Sequence, residues 1–314
     1  MGRIAILVLA HRAEPLAYLL AALDPAFAVF VHMDARAEPP PLPRHARLIA
    51  PRTEIFWGGW SMMQATFALI AAARAAGPYD RYVLISGDSL PVRPTGDLVR
   101  DLLDLDREFI DLVPVPDDPS LAGMAMPVAI ARDGWVQPWR LHNPVAWDHR
   151  LLNPFHREAA AAHYGLDQER ADWIRGDLER LTRDLLRSLQ PPRPFAQFAY
   201  GAQWWALTAA TLEALLPTIH DPAWQRFFQV LQVPDEHMIQ TALANRQDLL
   251  AGRRLLPTPM WTDQARRAAG TDTLDDAGFA AAAADHLFAR KFDPVAAPAT
   301  AAAIASARHF PRRP

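Results

Sequence analysis

The sequence predicts an α/β fold: a mostly parallel sheet flanked by helices, in a single domain with one irregular insertion. Three observations carry this expectation. Strand-like apolar runs alternate with helix-spaced apolar positions as far as Val115. The alternation breaks down between residues 115 and 198 and then resumes. A hydrophobic content of 51% over 314 residues is enough to cover a sheet on both faces.

Taken in order, residues 4–9 are a continuous apolar run, the pattern of a strand buried on both faces. Leu16, Leu19, Leu20 and Leu23 follow at helical spacing and residues 28–32 are apolar again, which makes β-α-β. A weaker strand over 47–50 follows the proline-rich stretch 39–43. Ser61 and Gln64 have the spacing of a capping box, opening a helix with Met63, Phe67 and Ile70 on one face. Residues 82–85 form the next strand, Thr95 caps a helix bearing Leu98, Val99, Leu102 and Leu103, and residues 109–113 close the pattern. In such a sheet ligands bind at the carboxyl ends of the strands.

Residues 114–198 are irregular apart from a charged helix around 167–189, and they carry Trp135, Trp139, Trp147, Phe155 and Tyr164. Such a stretch suits a variable recognition region better than a core. Regular structure returns with a strand over 203–208, a helix ending near Leu216, a helix opened by Pro234-Asp235, and another over 275–286. The Ala- and Pro-rich stretch 295–314 reads as a poorly ordered tail or a partner-binding arm.

Bulk properties exclude several classes. A net charge of −3 provides no broad basic field for nucleic acid. Without cysteine there is neither a disulfide nor a thiolate metal site, which fits a reducing compartment. The opening apolar run is too short to span a bilayer and is followed by His11-Arg12 rather than a small-residue cleavage site; nowhere else do about eighteen uninterrupted apolar residues occur, so no membrane anchor is expected. Of the 32 Lys and Arg residues only Lys291 is lysine. An ammonium is a compact point charge where guanidinium is a flat fork, so a slot for a phosphate oxygen can require it; chance survival of one lysine is the other reading.

Chemistry-bearing strings stand at strand ends and helix starts. In His32-Met33-Asp34-Ala35-Arg36, the aspartate can accept hydrogen bonds from a ribose or base, or close a turn on its own backbone. Phe56-Trp57-Gly58-Gly59-Trp60-Ser61 makes either a sugar or phosphate shelf before a helix N-terminus or an aromatic-anchored turn. Ser86-Gly87-Asp88-Ser89 offers one carboxylate with no second beside it, which argues against an obligate metal. In Val233-Pro234-Asp235-Glu236-His237, Asp235 reads as an N-cap, while Glu236 either complements the helix dipole or deprotonates an acceptor hydroxyl.

In sequence order these strings resemble the family of core-2/I-branching β-1,6-N-acetylglucosaminyltransferases and peptide O-xylosyltransferases. The resemblance runs from I-L-V-L-A-H-R through V-F-V-H-M-D-A-R, F-W-G-G-W-S-M-M-Q-A-T and Y-D-R-Y-V-L-I-S-G-D-S-L-P-V-R. It continues with Y-G-A-Q-W-W-A-L-T, V-P-D-E-H-M-I-Q-T and L-F-A-R-K-F, leaving 115–198 uncovered. It implies a GT-A-like, Rossmann-type fold, a UDP-sugar donor and an inverting, metal-independent transfer with no cofactor. By the same resemblance His11, Asp34 and Arg36 lie toward the uridine, Trp57 and Gly58 wall the donor site with Asp88, Glu236 is the catalytic base, and Arg290 and Lys291 hold the diphosphate. Arg267, with Arg266 beside it, stands nearest the family's upstream basic residue. Trp204, Trp205 and Arg140 are expected on the acceptor side. The implied layout of the catalytic domain, 1–294, is a nucleotide-sugar-binding half over 1–114, an acceptor-side region over 115–198, and a catalytic, diphosphate-binding half over 199–294. Animal members are anchored, disulfide-bonded Golgi proteins; this chain lacks both features and is expected to be a bacterial-type cytoplasmic enzyme, compatible with a peripheral membrane contact.

The reading is therefore an inverting, UDP-sugar-dependent glycosyltransferase forming a β-linkage to a carbohydrate or glycosylated acceptor, with N-acetylglucosamine the favoured sugar. Xylosyl or glucuronosyl transfer and a catalytically silent nucleotide-sugar-binding protein are the alternatives.

Overall fold

The computed structural model describes residues 3–115, 129–132, 135–138, 193–229, 231, 233–263, 265–266 and 271–306, with residues 167, 169, 170 and 173. The helix expected over 167–189 lies almost wholly outside them, as do Arg140 and Arg267.

The chain opens with β1 (Ile4–Ala10), α1 (Ala13–Ala22), β2 (Ala28–Met33), β3 (Ala46–Leu48), α2 (Trp60–Ala76), β4 (Arg81–Ser86), β5 (Ser89–Pro91), α3 (Thr95–Leu102), β6 (Arg107–Phe109) and β7 (Val113–Pro114). Strands β8 (Ala129–Arg132) and β9 (Trp135–Pro138) pair with each other antiparallel. Then come β10 (Ala199–Tyr200), β11 (Trp205–Thr208), α4 (Ala209–Ile219), α5 (Pro222–Gln229), a 3-10 turn at Pro234–Glu236 and α6 (Met238–Ala244). The last elements are β12 (Arg254–Leu256), β13 (Met260–Thr262), α7 (Asp276–Ala282), β14 (Phe288–Arg290) and α8 (Pro298–Ala305).

A seven-stranded sheet runs in the order β12-β6-β11-β4-β1-β2-β3. Every neighbouring pair is parallel except those of β11, which runs against β4 and β6. All six residues of β4 are buried, which requires cover on both faces and explains its unbroken apolar run. A smaller sheet, β13-β14-β5, adjoins it, with its own apolar cluster of Leu90, Leu274, Phe279, Phe292 and neighbours.

Arg81 and Glu108 form a deeply buried ion pair. Arg81, at the start of β4, has no exposed surface; it donates to the carbonyls of Leu102, Asp104, Arg107 and Ala206 at 2.7–2.9 Å and pairs with Glu108 at 3.4 Å. Glu108 in turn accepts from the Thr208 amide at 2.8 Å and from Arg253. Burial brings the Arg81 pKa down to about 10, against the pull of Glu108, so the guanidinium stays charged in a satisfied network.

Several sequence expectations shift. Helix α2 begins two residues early, capped by Gly59 without a side-chain bond; Ser61 Oγ instead accepts from the Phe56 amide at 2.9 Å, because the preceding turn folds that amide over it. Thr95 lies inside α3, with Pro94 as the cap. The short strands slide by a few residues, to 46–48 and 107–109. Within the stretch expected to be a loose tail or a partner-binding arm, residues 298–305 form α8: Ala297 and Ala301 are buried, and Asp276 accepts from the Thr300 amide and hydroxyl at 2.8 and 2.6 Å, while 307–314 lie outside the described residues. Proline at its first position followed by alanines supplies helix-favouring chemistry that composition alone obscures.

Candidate functional site

The sheet's register brings the chemistry-bearing strings to one edge. Leu9 of β1 is level with Ser86 of β4 and His32 of β2, so His11, Asp34 and Asp88 follow three adjacent strands at the same height. Backbone bonds fix the turns: the Asp34 amide donates to Ala10 O at 2.8 Å and the Gly87 amide to Leu9 O at 2.7 Å. Because β11 is reversed, with Trp205 opposite Leu84, the segment leading into it arrives at this same edge.

Asp88 is the buried centre of the group. Its Oδ1 accepts from Ser86 Oγ and from Arg290 Nε at 3.2 Å, while Oδ2 is buried with no hydrogen-bond partner. Burial opposes ionisation, but the Arg290 charge, the Ser86 hydroxyl and the more distant Lys291 outweigh it and hold the carboxyl below its usual range. Antiparallel pairing of β14 with β5 sets Arg290 opposite Ser89. The guanidinium lies 5.0 Å over the Trp204 ring, a cation–π contact that holds its plane. Desolvation lowers the His11 pKa; Asp88 opposes it, and Arg12, Arg290 and Lys291 reinforce it, so the imidazole is neutral near pH 7 within a cationic surround. Lys291 pairs with Asp272, both side chains partly exposed.

Glu236 stands on a turn built to unusual geometry. Val233 adopts φ 50 and ψ 54, a left-handed conformation that costs a β-branched residue on the order of 1–3 kcal/mol. Its amide donates to Gly58 O at 2.8 Å, which fastens this turn to the Trp57-Gly58 turn, where Gly58 supplies φ 76. The Gly201 amide donates to Glu236 O at 3.0 Å. A Cβ on Gly201 would lie 2.1 Å from Asp111 O, so glycine alone permits that approach. Three residues beyond Gly201 is Trp204, so the Glu236 turn and the Arg290 platform are joined by a segment at most about 11 Å long between Cα atoms. Glu236 is half-buried, and its neighbour Asp235 is buried. Asp235 is not a cap: it lies within the 3-10 turn, and α6 starts after His237. Burial, with the Glu236 charge beside it, pushes the Asp235 carboxyl well above the usual carboxylate range. Of the pair, Glu236 is the more exposed.

Other candidates divide. Asp34 reaches the edge but is occupied as a turn aspartate: it accepts from the Arg36 amide at 2.9 Å, from the Arg36 guanidinium at 3.0 and 2.7 Å, and from the Ile55 amide at 3.2 Å. Burial opposes this charge too, and the Arg36 bonds outweigh it. Arg36 is thereby committed to bracing the loop around Ile55. Trp57 is 42% exposed beside that loop. Trp205 corrects an expectation: it is 1% exposed in the main core, because β11 is a central strand, and it cannot meet an acceptor. Trp204 is 7% exposed and serves Arg290. Arg266 is bound to Asp263 and Asp275 and braces the start of α7. Sequence reading missed the Lys291 partner Asp272, and it missed Asp111, which accepts from the Ala202 and Thr258 amides at 3.3 and 3.0 Å and so anchors the segment carrying Trp204. Neither carried a local pattern.

No protein-family model matches the chain, and no curated protein matches it. Among the described residues, no helix is long and apolar enough to cross a membrane, and no cluster of three or more His, Asp or Glu side chains could hold a metal ion.

Proposed function

We propose that the chain is an inverting, UDP-sugar-dependent glycosyltransferase of GT-A-like fold, forming a β-linkage to a carbohydrate hydroxyl, with N-acetylglucosamine the favoured donor sugar. The observation that supports this reading is that the short segment from Gly201 to Trp204 links the turn bearing the half-buried Glu236 to the Arg290–Asp88 pair at the carboxyl ends of the parallel strands. Glu236 takes the proton of the acceptor hydroxyl as that oxygen attacks the anomeric carbon and the bond to the UDP oxygen breaks. Charge developing on the departing diphosphate is met by Arg290 and Lys291, held in place by Asp88, Trp204 and Asp272. Because Arg290 already supplies a cation against Asp88, the donor needs no metal bridge at that carboxylate. The nucleotide-sugar side is formed by the turns after β1, β2 and β4, and the catalytic side by the segments from 199 onward.

The test is a panel of UDP-sugars scored by thermal shift, followed by donor hydrolysis and transfer with and without excess chelator. UDP-N-acetylglucosamine should raise the melting temperature and be turned over equally in EDTA. Absence of stabilisation by any UDP-sugar overturns the reading, and activity that returns only with Mn²⁺ or Mg²⁺ overturns its metal-free form.

A further inference from the structure

His237, which the proposed chemistry leaves without a task, has no exposed surface. Its ring stacks on Phe198 at 5.1 Å and 26° and meets Tyr200 at 5.4 Å, which accounts for its burial. Stacking alone does not account for its polar contact. Nδ1 lies 2.9 Å from the carbonyl of Val233, the residue in the left-handed conformation. That carbonyl also accepts from the Glu236 amide at 3.0 Å. A carbonyl only accepts, so Nδ1 must carry the proton. Burial lowers the His237 pKa to about 4, so the ring is neutral at ordinary pH and the Nδ1–H tautomer is fixed by its partner.

The two bonds to one carbonyl close the turn from inside, while the Val233 amide on Gly58 O closes it from outside. Helix α6 holds the imidazole in place: the Thr241 amide donates to His237 O at 2.7 Å, and Thr241 Oγ1 binds the backbone of Ala199, next to the stacking Phe198. Glu236 is the last of the three residues between Val233 and His237, and its own amide binds the Val233 carbonyl, so the clasp fixes the backbone from which its side chain departs. We infer that His237 is a positioning residue that aims Glu236 by holding the Val233 carbonyl through Nδ1–H. The inference rests on the reading of Glu236 as the base.

Three variants and one direct observation test it. ¹⁵N NMR of labelled histidine in the wild-type protein should show His237 protonated at Nδ1 between pH 6 and pH 8. His237→Phe keeps a flat ring for the stack and loses the donor. It should accelerate exchange of the Glu236 amide at least tenfold while sparing Thr241, lower kcat for transfer at least tenfold, and leave UDP affinity within twofold. His237→Asn, whose amide can place a donor near the Nδ1 position, should restore most of kcat. Glu236→Gln is measured beside them. Full turnover in Glu236→Gln removes the base, and with it the mechanism proposed above. An inactive Glu236→Gln with wild-type kcat in His237→Phe removes the positioning role alone. An Nε2–H tautomer in the wild type overturns the inference even if the variants do not fold.

Discussion

Arg290 reaches Asp88 across 202 residues of sequence, its Nε 3.2 Å from the carboxylate. Asp88 is buried and ionised largely because this guanidinium is there, and Arg290 keeps its plane because Trp204 lies beneath it. A ligand's phosphate would meet a guanidinium that is already oriented and that spends only its Nε–H on Asp88.

Removing that cation should therefore show in stability as well as binding. Arg290→Met strands the Asp88 charge in a buried site, and loss of one partner of such a pair costs about 3–5 kcal/mol. The pH dependence has a definite sign. In the wild type the lowered Asp88 pKa contributes stability above the unfolded value of 3.8, lost as pH falls through the folded value. In Arg290→Met that contribution disappears and burial favours the protonated acid, so the stability gap between the two proteins should narrow as pH falls through the carboxylate range. Urea melts from pH 3 to 7 decide this; superimposable curves for the two proteins would contradict it.

Lys291 and Asp272 separate recognition from stability. Their ion pair is partly exposed, and such pairs contribute about 0–1 kcal/mol. Lys291→Ala should thus shift the melting temperature little while weakening UDP binding about tenfold or more. Lys291→Arg should also be impaired, since a fork does not replace a point charge. Calorimetric titration with UDP is the measurement, and wild-type affinity in both variants would leave the lysine without a role.

Asp235 and Glu236 should respond in opposite ways. Glu236→Gln should cut transfer about a hundredfold or more with donor affinity retained. Asp235→Asn replaces a buried neutral acid with a near-isostere and should keep turnover. It should also flatten a pH dependence: with its folded pKa raised, Asp235 contributes stability that is fully present below 3.8 and is lost as pH rises through the folded value. Wild type should lose stability relative to Asp235→Asn as pH climbs above about 4. A gap between the two proteins that stays constant across that range refutes the protonated acid, and an inactive Asp235→Asn reverses the roles of the pair.

The Arg81 network lies at the opposite edge of the sheet. Glu108→Gln leaves Arg81 buried without its counter-charge and should destabilise by about 3–5 kcal/mol. The surviving folded fraction should bind UDP with unchanged affinity. A stability loss below about 1 kcal/mol would mean that the backbone carbonyls alone satisfy the guanidinium.

The central strands were legible because burial on both faces writes a continuous apolar run, as at residues 4–9 and 82–85. Edge and cap details were not. Ser61 has the spacing of a cap but is bound by an amide that only the folded turn brings to it. Pro234-Asp235 looks like a helix start, yet the left-handed Val233 before it sends the chain into a 3-10 turn that buries the aspartate. The site's residue types could be read from their strings. Their pairings, Arg290 with Asp88 and Lys291 with Asp272, join strands and loops far apart in sequence and leave no periodicity to find.

The pairing of β14 with β5 also imposes a timetable. A ribosome releases Asp88 some 202 residues before the arginine that neutralises it, an interval of about 10–40 s at ordinary elongation rates of about 5–20 residues per second. Strand β11, at 205–208, is available to β4 well before then, but the Asp88 carboxylate must remain hydrated until its cation appears. Chains cut off anywhere before residue 290 should therefore hold a sheet whose Asp88 has no cation beside it, and any affinity for UDP that the proposed function requires should appear only once that arginine is present.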